Sequence, residues 1–401
     1  MLELRPILSA LWRHKISALL IAVQLGLTLA IVGNATVVIQ ERMDTIARPT
    51  GVAVEDIVTA NFMPIPKDYD RMEAFRLDLD MMRQLPGVVA ATVSRAPLAG
   101  GGSSAGFHTK PNQEIGATNS ATFRVDEHFI DALGMRLVAG RNFTANEIRE
   151  IGRESTWQPD TTVITQQLAD KLFAGGEALG KSIYYGGGDH PMEIVGIVER
   201  NLGPWPNSPI AGNSIFLPMI MDTQWFDYII RAEPGQRDAV AKLLQEKLAE
   251  RDPRRVVDVK TLEEQLNRSY AGDNTMITVL SGVVGLLTFI VALGIVGLTV
   301  FWITQRQKQI GVRRALGATR TAISRYFLLE NLLIAASGIA IGVAAAQIFN
   351  HFLASEFDQP ALPLSTTLTC ALILLGVSLA AALVPALRAA NISPATATRS
   401  V

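Results

Sequence analysis

The sequence predicts an α-helical membrane protein with four transmembrane helices and a large α+β extracytoplasmic domain between helices 1 and 2. Three observations carry this reading. Of 401 residues, 49% are hydrophobic and only 18% charged, with mean hydropathy +0.25, a balance that points to membrane segments. Four stretches supply the ~20 apolar residues that a helix needs to cross hydrocarbon. Between the first and second of them, a long segment alternates strand-like and helical periodicity.

The first span, 16–39, is entered from "RHK"; its apolar run is too long for a signal peptide's core and no small-residue cleavage site follows, so it reads as an uncleaved anchor. The second, 276–303, exceeds the hydrocarbon thickness and must tilt or project as a stalk. The helix-like 262–276 runs into it with no proline, which predicts one continuous rod. The third span is 327–349 and the fourth 366–387. In the third, Gly338, Gly342 and Ala346 recur at four-residue spacing, a candidate helix-packing face that lets backbones approach closely. No Lys, Arg, Asp or His lies deep in a span, which argues against an ion-coupled carrier.

Basic residues set the orientation. Arg5, Arg13 and Lys15 precede span one; Arg306, Lys308, Arg313, Arg314, Arg320 and Arg325 lie between spans two and three; Arg388 and Arg399 follow span four. The loop between spans three and four carries Glu356 and Asp358 but no Lys or Arg. Both termini are therefore expected in the cytoplasm of a multi-pass inner-membrane protein, with 41–274 in the periplasm. The expected division is 1–40 for the N-terminal segment and first span, 41–274 for the periplasmic domain, 275–303 for the stalk and second span, 304–326 for a cytoplasmic helix loop, then the third and fourth spans and a tail over 388–401.

Within the outer segment, "VEDIVTANF", a helix over 67–85 and "GVVAATVSRA" form one β-α-β unit over 54–96. A second occupies 225–262. Two such units at the ends of one segment suggest a single α+β subdomain, with 97–223 inserted as another. The insertion opens on the Gly-rich "APLAGGGSSAGF", read as a flexible connection.

Several function classes find no support. The net charge of −1 argues against a nucleic-acid partner. Five scattered histidines and the single Cys370 offer no metal-ligand spacing and no intrachain disulfide. The octapeptide "GGEALGKS" (175–182) matches a phosphate-binding loop, but helical pattern precedes it and strand pattern follows, the reverse of the strand–loop–helix order that aims amides at phosphates. No catalytic constellation stands out, so no catalytic residue, no metal and no cofactor are assigned to this chain.

Most informative is "QRQKQIGVRRALGATRTAISRYFLLENLL" (305–333): Gly317 can end one short helix and Thr319 can cap the next. The stretch resembles the "RE-I-G-x-R-R-A-L-G-A-[ST]" signature of FtsX-like ABC transporter permeases, a family that includes the MacB-like macrolide exporters. Matching positions are Ile310, Gly311, Arg313, Arg314, Ala315, Leu316, Gly317, Ala318 and Thr319, with Glu330 matching an acid in the following helix. "VDEHFIDALGMRLVAGRNFTANE", "VVITQQLADKLFAGGEALGKSI", "MEIVGIVE" and "PALRAANISPATATR" resemble further family patterns in order along the chain. Two departures stand out: Gln309 replaces the usual Glu, and "ATATR" the usual "xxALR".

The resemblance implies a permease subunit that is not itself an enzyme. No ATPase domain precedes the first span, so a separate cytoplasmic ABC ATPase, in two copies and carrying the ATP and Mg, is expected. By the resemblance, Gln309, Gly311, Arg313, Arg314, Ala315, Gly317 and Ala318 would contact it or shape that contact. Further expected partners are a second permease (homo- or heterodimer), membrane lipid and a periplasmic adaptor. ATP-driven motion would be transmitted to the periplasmic domain, for efflux of an antimicrobial peptide, antibiotic or lipid-like substrate. The alternative is a non-transporting regulator of an envelope hydrolase or a sensor.

Overall fold

The computed structural model describes residues 15–392 apart from 67, 153, 154, 156, 175, 224, 225 and 358–360. Arg5, Arg13, Gly175, Asp358 and Arg399 lie outside the described residues, as does the chain beyond Ile392. Two units are present: a sheet unit, Thr45–Gly272, and a helical unit built from the chain on either side of it.

The chain opens with α1 (Lys15–Ile46). The sheet unit then begins with β1 (Ile57–Pro64), α2 (Arg71–Met82) and β2 (Val88–Ser94). Its middle supplies β3 (Ser103–His108), β4 (Thr118–Val125), α3 (Phe129–Leu133), β5 (Leu137–Gly140) and β6 (Arg149–Ile151). There follow β7 (Thr161–Thr165), α4 (Gln166–Leu172), β8 (Ser182–Tyr185), β9 (Pro191–Val198) and β10 (Ser214–Met221). A second β-α-β run closes the unit: β11 (Asp227–Ala232), α5 (Arg237–Arg251) and β12 (Arg255–Thr261), then α6 (Leu262–Ser269). The rest is helical: α7 (Ala271–Gln305), α8 (Gln307–Ala315), α9 (Arg320–Phe357) and α10 (Leu364–Ala390).

The two β-α-β runs interleave in one antiparallel sheet of order β12-β1-β11-β2, the split β-α-β arrangement. Alternation along β1 decides which side each residue serves. Val58, Ala60 and Phe62 pack against Phe75, Leu79 and Met82 of α2 and Val240, Leu244 and Leu248 of α5. Ile57 joins the opposite core, with Phe123, Phe129 and Phe216 from the middle of the unit. Helix α2 begins at Asp70, whose side chain accepts the Glu73 N–H at 2.9 Å, so its start falls later than the periodicity suggests.

The middle strands run in the order β4-β3-β8-β9-β7-β10, and β10 pairs in parallel with β4, from Ser214 opposite Ala121 to Pro218 opposite Val125. That last pairing closes six strands into a ring, which removes the open edges where foreign strands could add.

Among the described residues, four helices are long and apolar enough to cross a membrane: α1 from Ala18, α7, α9 to Phe352, and α10. Each runs beyond its apolar window. Ile21 and Leu25 of α1 meet Val291 and Ile295 of α7, Ile334 of α9 and Ala382 of α10 in one core. Many apolar side chains outside that core, such as Leu20, Leu286, Phe289 and Leu372, are exposed, as lipid-facing positions are. The expected unbroken rod over 262–276 is not found: α6 ends at Ser269 and α7 begins at Ala271. Tyr270 is the break; it is buried, its hydroxyl donates to the Thr45 carbonyl at 3.4 Å and its N–H bonds back to the Leu266 carbonyl, with neither proline nor glycine at the position.

Candidate docking face on the short helix α8

Helix α8 is fixed by its ends and by one side. Arg306, the residue between α7 and α8, directs Nη1 at both carboxylate oxygens of Glu330 on α9, at 2.9 and 3.1 Å. Both side chains are largely buried. Ile310 packs with Ile303, Ile323, Phe327, Ala386 and Ala389. Gly311 is buried on the same side. Arg314 is half-buried and donates Nη1 to the main-chain oxygens of Ala390 (2.9 Å) and Ile392 (3.0 Å), just past the C-terminus of α10. A cation there also meets the negative end of the helix dipole.

The turn out of α8 follows from Gly317. Its φ is +94°, open to glycine and strained for other residues. Gly317 N–H bonds the Arg314 carbonyl at 3.1 Å and Ala318 N–H the Arg313 carbonyl at 3.0 Å, the paired bonds of a Schellman stop. Thr319 then caps α9, its hydroxyl accepting the Ala322 N–H at 3.2 Å. "GAT" thus turns the chain between two helices.

What this clamp leaves outward is a mixed face. Lys308, Gln309, Val312, Arg313, Ala315 and Leu316 are all exposed, Leu316 at 83% and Val312 at 52%. Lys308, Val312 and Leu316 recur at four-residue spacing, as do Gln309 and Arg313, so two parallel rows lie on the surface. The Arg313 guanidinium sits 5.1 Å from the centre of the Tyr326 ring, which steadies it without neutralising its charge.

Of the sequence-derived positions, Gln309, Arg313 and Ala315 therefore share the open face with Leu316. Gly311 and Arg314 serve the inner contact, and Gly317 and half-buried Ala318 form the stop. The pairing of Arg306 with Glu330 and the outward placement of Val312 and Leu316 are not foreseen from sequence; the i,i+4 spacing is the signal that finds the latter. The small-residue face of α9 lies elsewhere. A Cβ at Gly338 would come within 2.7 Å of the Ala22 backbone, and one at Gly342 within 2.7 Å of Gly26 Cα. Those glycines are occupied by α1 of the same chain, and Ala346 packs with Ala30 and Leu362.

The comparisons with known proteins decide the family. Residues 17–247 match the MacB-like periplasmic core domain, more than half of the chain, and residues 265–394 match the FtsX-like permease C-terminal domain. The chain belongs to the FtsX-like, MacB-like permease family. Among its relatives, the macrolide export ATP-binding/permease protein MacB of Neisseria gonorrhoeae is 26% identical over 303 residues, covering 73% of this chain and 45% of its own length. This permease thus spans about half the length of the MacB proteins it matches. The uncharacterized ABC transporter permease YvrN of Bacillus subtilis is 26% identical over 298 residues, with 69% of each chain covered. The periplasmic region of MacB from Actinobacillus actinomycetemcomitans aligns with a TM-score of 0.34 at 14% identity, over 55% of this chain and 95% of that one.

In this permease residues 176–181 of the "GGEALGKS" stretch lie between α4 and β8, with Gly180 at φ +76° and the Lys181 ammonium 4.9 Å from the Phe173 ring centre. The segment is a turn whose lysine is directed at an aromatic ring, not a loop opening a helix. Asp126, Glu127 and His128 are a three-residue cluster with metal-ligand atoms close together. Asp126 already accepts from Arg83, Thr92 and the His128 N–H. Its pKa is raised by burial, against the pull of those partners.

Proposed function

We propose that this permease is the membrane subunit of an ABC transporter, driven by a separate ATPase that docks on the outward face of α8. The observation that carries the reading is the clamp. Ion pair, carbonyl bonds and apolar packing tie α8 to α7, α9 and α10, so a push on Lys308, Gln309, Val312, Arg313 and Leu316 is passed to whole spans rather than absorbed by a loop.

Two copies of the ATPase bind the ATP and Mg; this chain binds neither and pairs with a second permease. The termini and α8 lie on the cytoplasmic side of the inner membrane. Helices α1 and α7 lead into and out of the sheet unit, and Arg42 on α1 bonds Asp273 on α7 at 2.8 Å, so the two move together. Their motion works the periplasmic domain, with or without an adaptor protein, to expel an amphipathic peptide, antibiotic or lipid-like molecule.

The test is co-purification from native membranes. Arg313→Glu lowers recovery of the ABC ATPase by roughly tenfold, because a charge on the open face is reversed. Recovery at the unsubstituted level from a variant that melts normally would remove α8 from the docking role.

A further inference from the structure

The Gly-rich run "RAPLAGGGS" (95–103) is not a loose connection. Leu98 N–H bonds the Gly203 carbonyl at 3.0 Å, Gly100 N–H the Pro204 carbonyl at 2.9 Å, and Trp205 Nε1 donates to the Gly100 carbonyl at 2.8 Å. Gly102 is required by close approach, since a Cβ there would fall 2.4 Å from Cγ of Pro204, and Gly100 by its φ of +79°. A Cβ at Gly101 would meet only the movable guanidinium of Arg95. With glycine there, Arg95 lies along the run and donates Nε to the Gly101 carbonyl at 3.0 Å.

The run forms one wall of a cleft of about 570 Å³ within the sheet unit, inside the range of roughly 300–1,000 Å³ typical of small-molecule sites. Arg95, Ser103, Thr122, Arg124, Met221 and Phe226 line it. Register explains the convergence: Ser103 on β3 stands opposite Thr122 on β4, and the Ser94 hydroxyl holds the Arg124 carbonyl at 2.7 Å.

Two features of the lining are unexplained by the fold. Thr122 is 8% exposed, yet its hydroxyl has no hydrogen-bond partner among the described residues. Arg124 forms no ion pair among the described residues, although burial holds its pKa below the ordinary value. A desolvated guanidinium without an acid and a buried hydroxyl without a partner both cost stability unless something else fills the space between them. Arg95 differs, since it lies in the field of the buried Asp227.

We infer that this cleft binds an anion carrying an apolar body, its carboxylate or phosphate held by Arg124, Arg95 and the Thr122 hydroxyl and its body against Met221 and Phe226. Guanidinium groups suit planar and tetrahedral oxyanions alike, and the thioether and aromatic ring supply adaptable apolar contact. The inference rests on the sheet unit alone and holds whichever partner α8 takes.

The test uses the full chain in phosphatidylcholine nanodiscs, with empty nanodiscs as the reference for partitioning into lipid. Calorimetric titrations compare 2-naphthoate, 2-naphthyl phosphate and the uncharged 2-naphthamide. The wild-type chain should bind at least one of the two anions ten times or more tightly than the amide, and the tighter of them identifies the oxyanion. Arg124→Gln should abolish that preference, and Thr122→Val should keep it while weakening anion binding several-fold. Equal binding of anions and amide by the wild-type chain overturns the proposal even if Arg124→Gln does not fold. An unchanged preference in an Arg124→Gln protein that melts like the wild type overturns it too.

Discussion

Each unit of this permease buries a carboxylate, and the two are held differently. In the sheet unit Asp78 is 1% exposed and takes bonds from Arg255 (Nη2 at 3.0 Å), from Arg251 (3.2 Å) and from the Tyr228 hydroxyl. One acid thereby ties α2 to β11, α5 and β12, and Arg255 also lies 4.9 Å from the Phe62 ring centre. In the helical unit Glu330 takes two bonds from one nitrogen of Arg306, the residue at the joint between α7 and α8. The first arrangement is a staple in the middle of a core. The second fixes the angle between two helices at their junction, which on the proposed reading is where a push on α8 would be passed to a span.

That contrast can be tested by breaking each cluster. Asp78→Ala leaves Arg255 buried and unpaired, and the sheet unit should lose about 3–5 kcal/mol, read from hydrogen exchange along β11 and β12 in the full chain. Replacing Asp78 and Arg255 together by Leu and Met should recover most of the loss, since a buried pair is worth little more than well-packed apolar residues. Recovery that fails would show the ion cluster to be more than a staple.

Glu330→Ala should cost less, on the order of 1–3 kcal/mol, because the Arg306 side chain keeps 11% exposure where that of Arg255 keeps 1%. Its larger consequence is functional: stimulated ATP turnover in the assembled transporter should fall while the ATPase still binds. Turnover equal to wild type would mean that the joint carries no load.

The smallest expected effect concerns an ion pair that belongs to neither core. Arg141 first, then the Thr144 and Thr161 bonds, hold the Glu147 pKa at about 2 against an ordinary 4.5. A depressed carboxylate contributes stability that is complete above the unfolded value and lost as pH falls toward the folded one. Protection factors over 141–161, which remove the intrinsic pH dependence of amide exchange, should therefore fall between pH 4.5 and 2 and stay flat above, with both buried clusters little changed. Its partner Arg141 is exposed, so salt should shrink the effect.

The parts of this molecule that could be read from sequence are those written in short-range pattern. Apolar runs of sufficient length gave the spans, the "GAT" turn gave the α8 stop and the α9 cap, and helix-before-strand order ruled out a phosphate loop. What could not be read joins distant residues. The β4–β10 pairing that closes the ring brings Ala121 beside Ser214, and no local signal marks it. The partners of α8, Glu330 and the carbonyls of Ala390 and Ile392, lie well along the chain from it, so Arg314 looked like Arg313 until the fold separated their roles. The break at buried Tyr270 carries no breaker residue. The glycines at 100–102 looked like a linker because the Pro204 ring against Gly102 and the positive φ at Gly100 appear only in three dimensions.

The most direct measurement places a photo-crosslinker on a cysteine introduced at Leu316, in a chain whose native Cys370 is buried. In native membranes the account predicts an adduct with an ABC ATPase that disappears in Arg313→Glu, and labelling of that cysteine by impermeant reagents only after the cytoplasmic side is opened. Labelling from outside intact cells, or abundant ATPase in the same membranes that never forms the adduct, would contradict it.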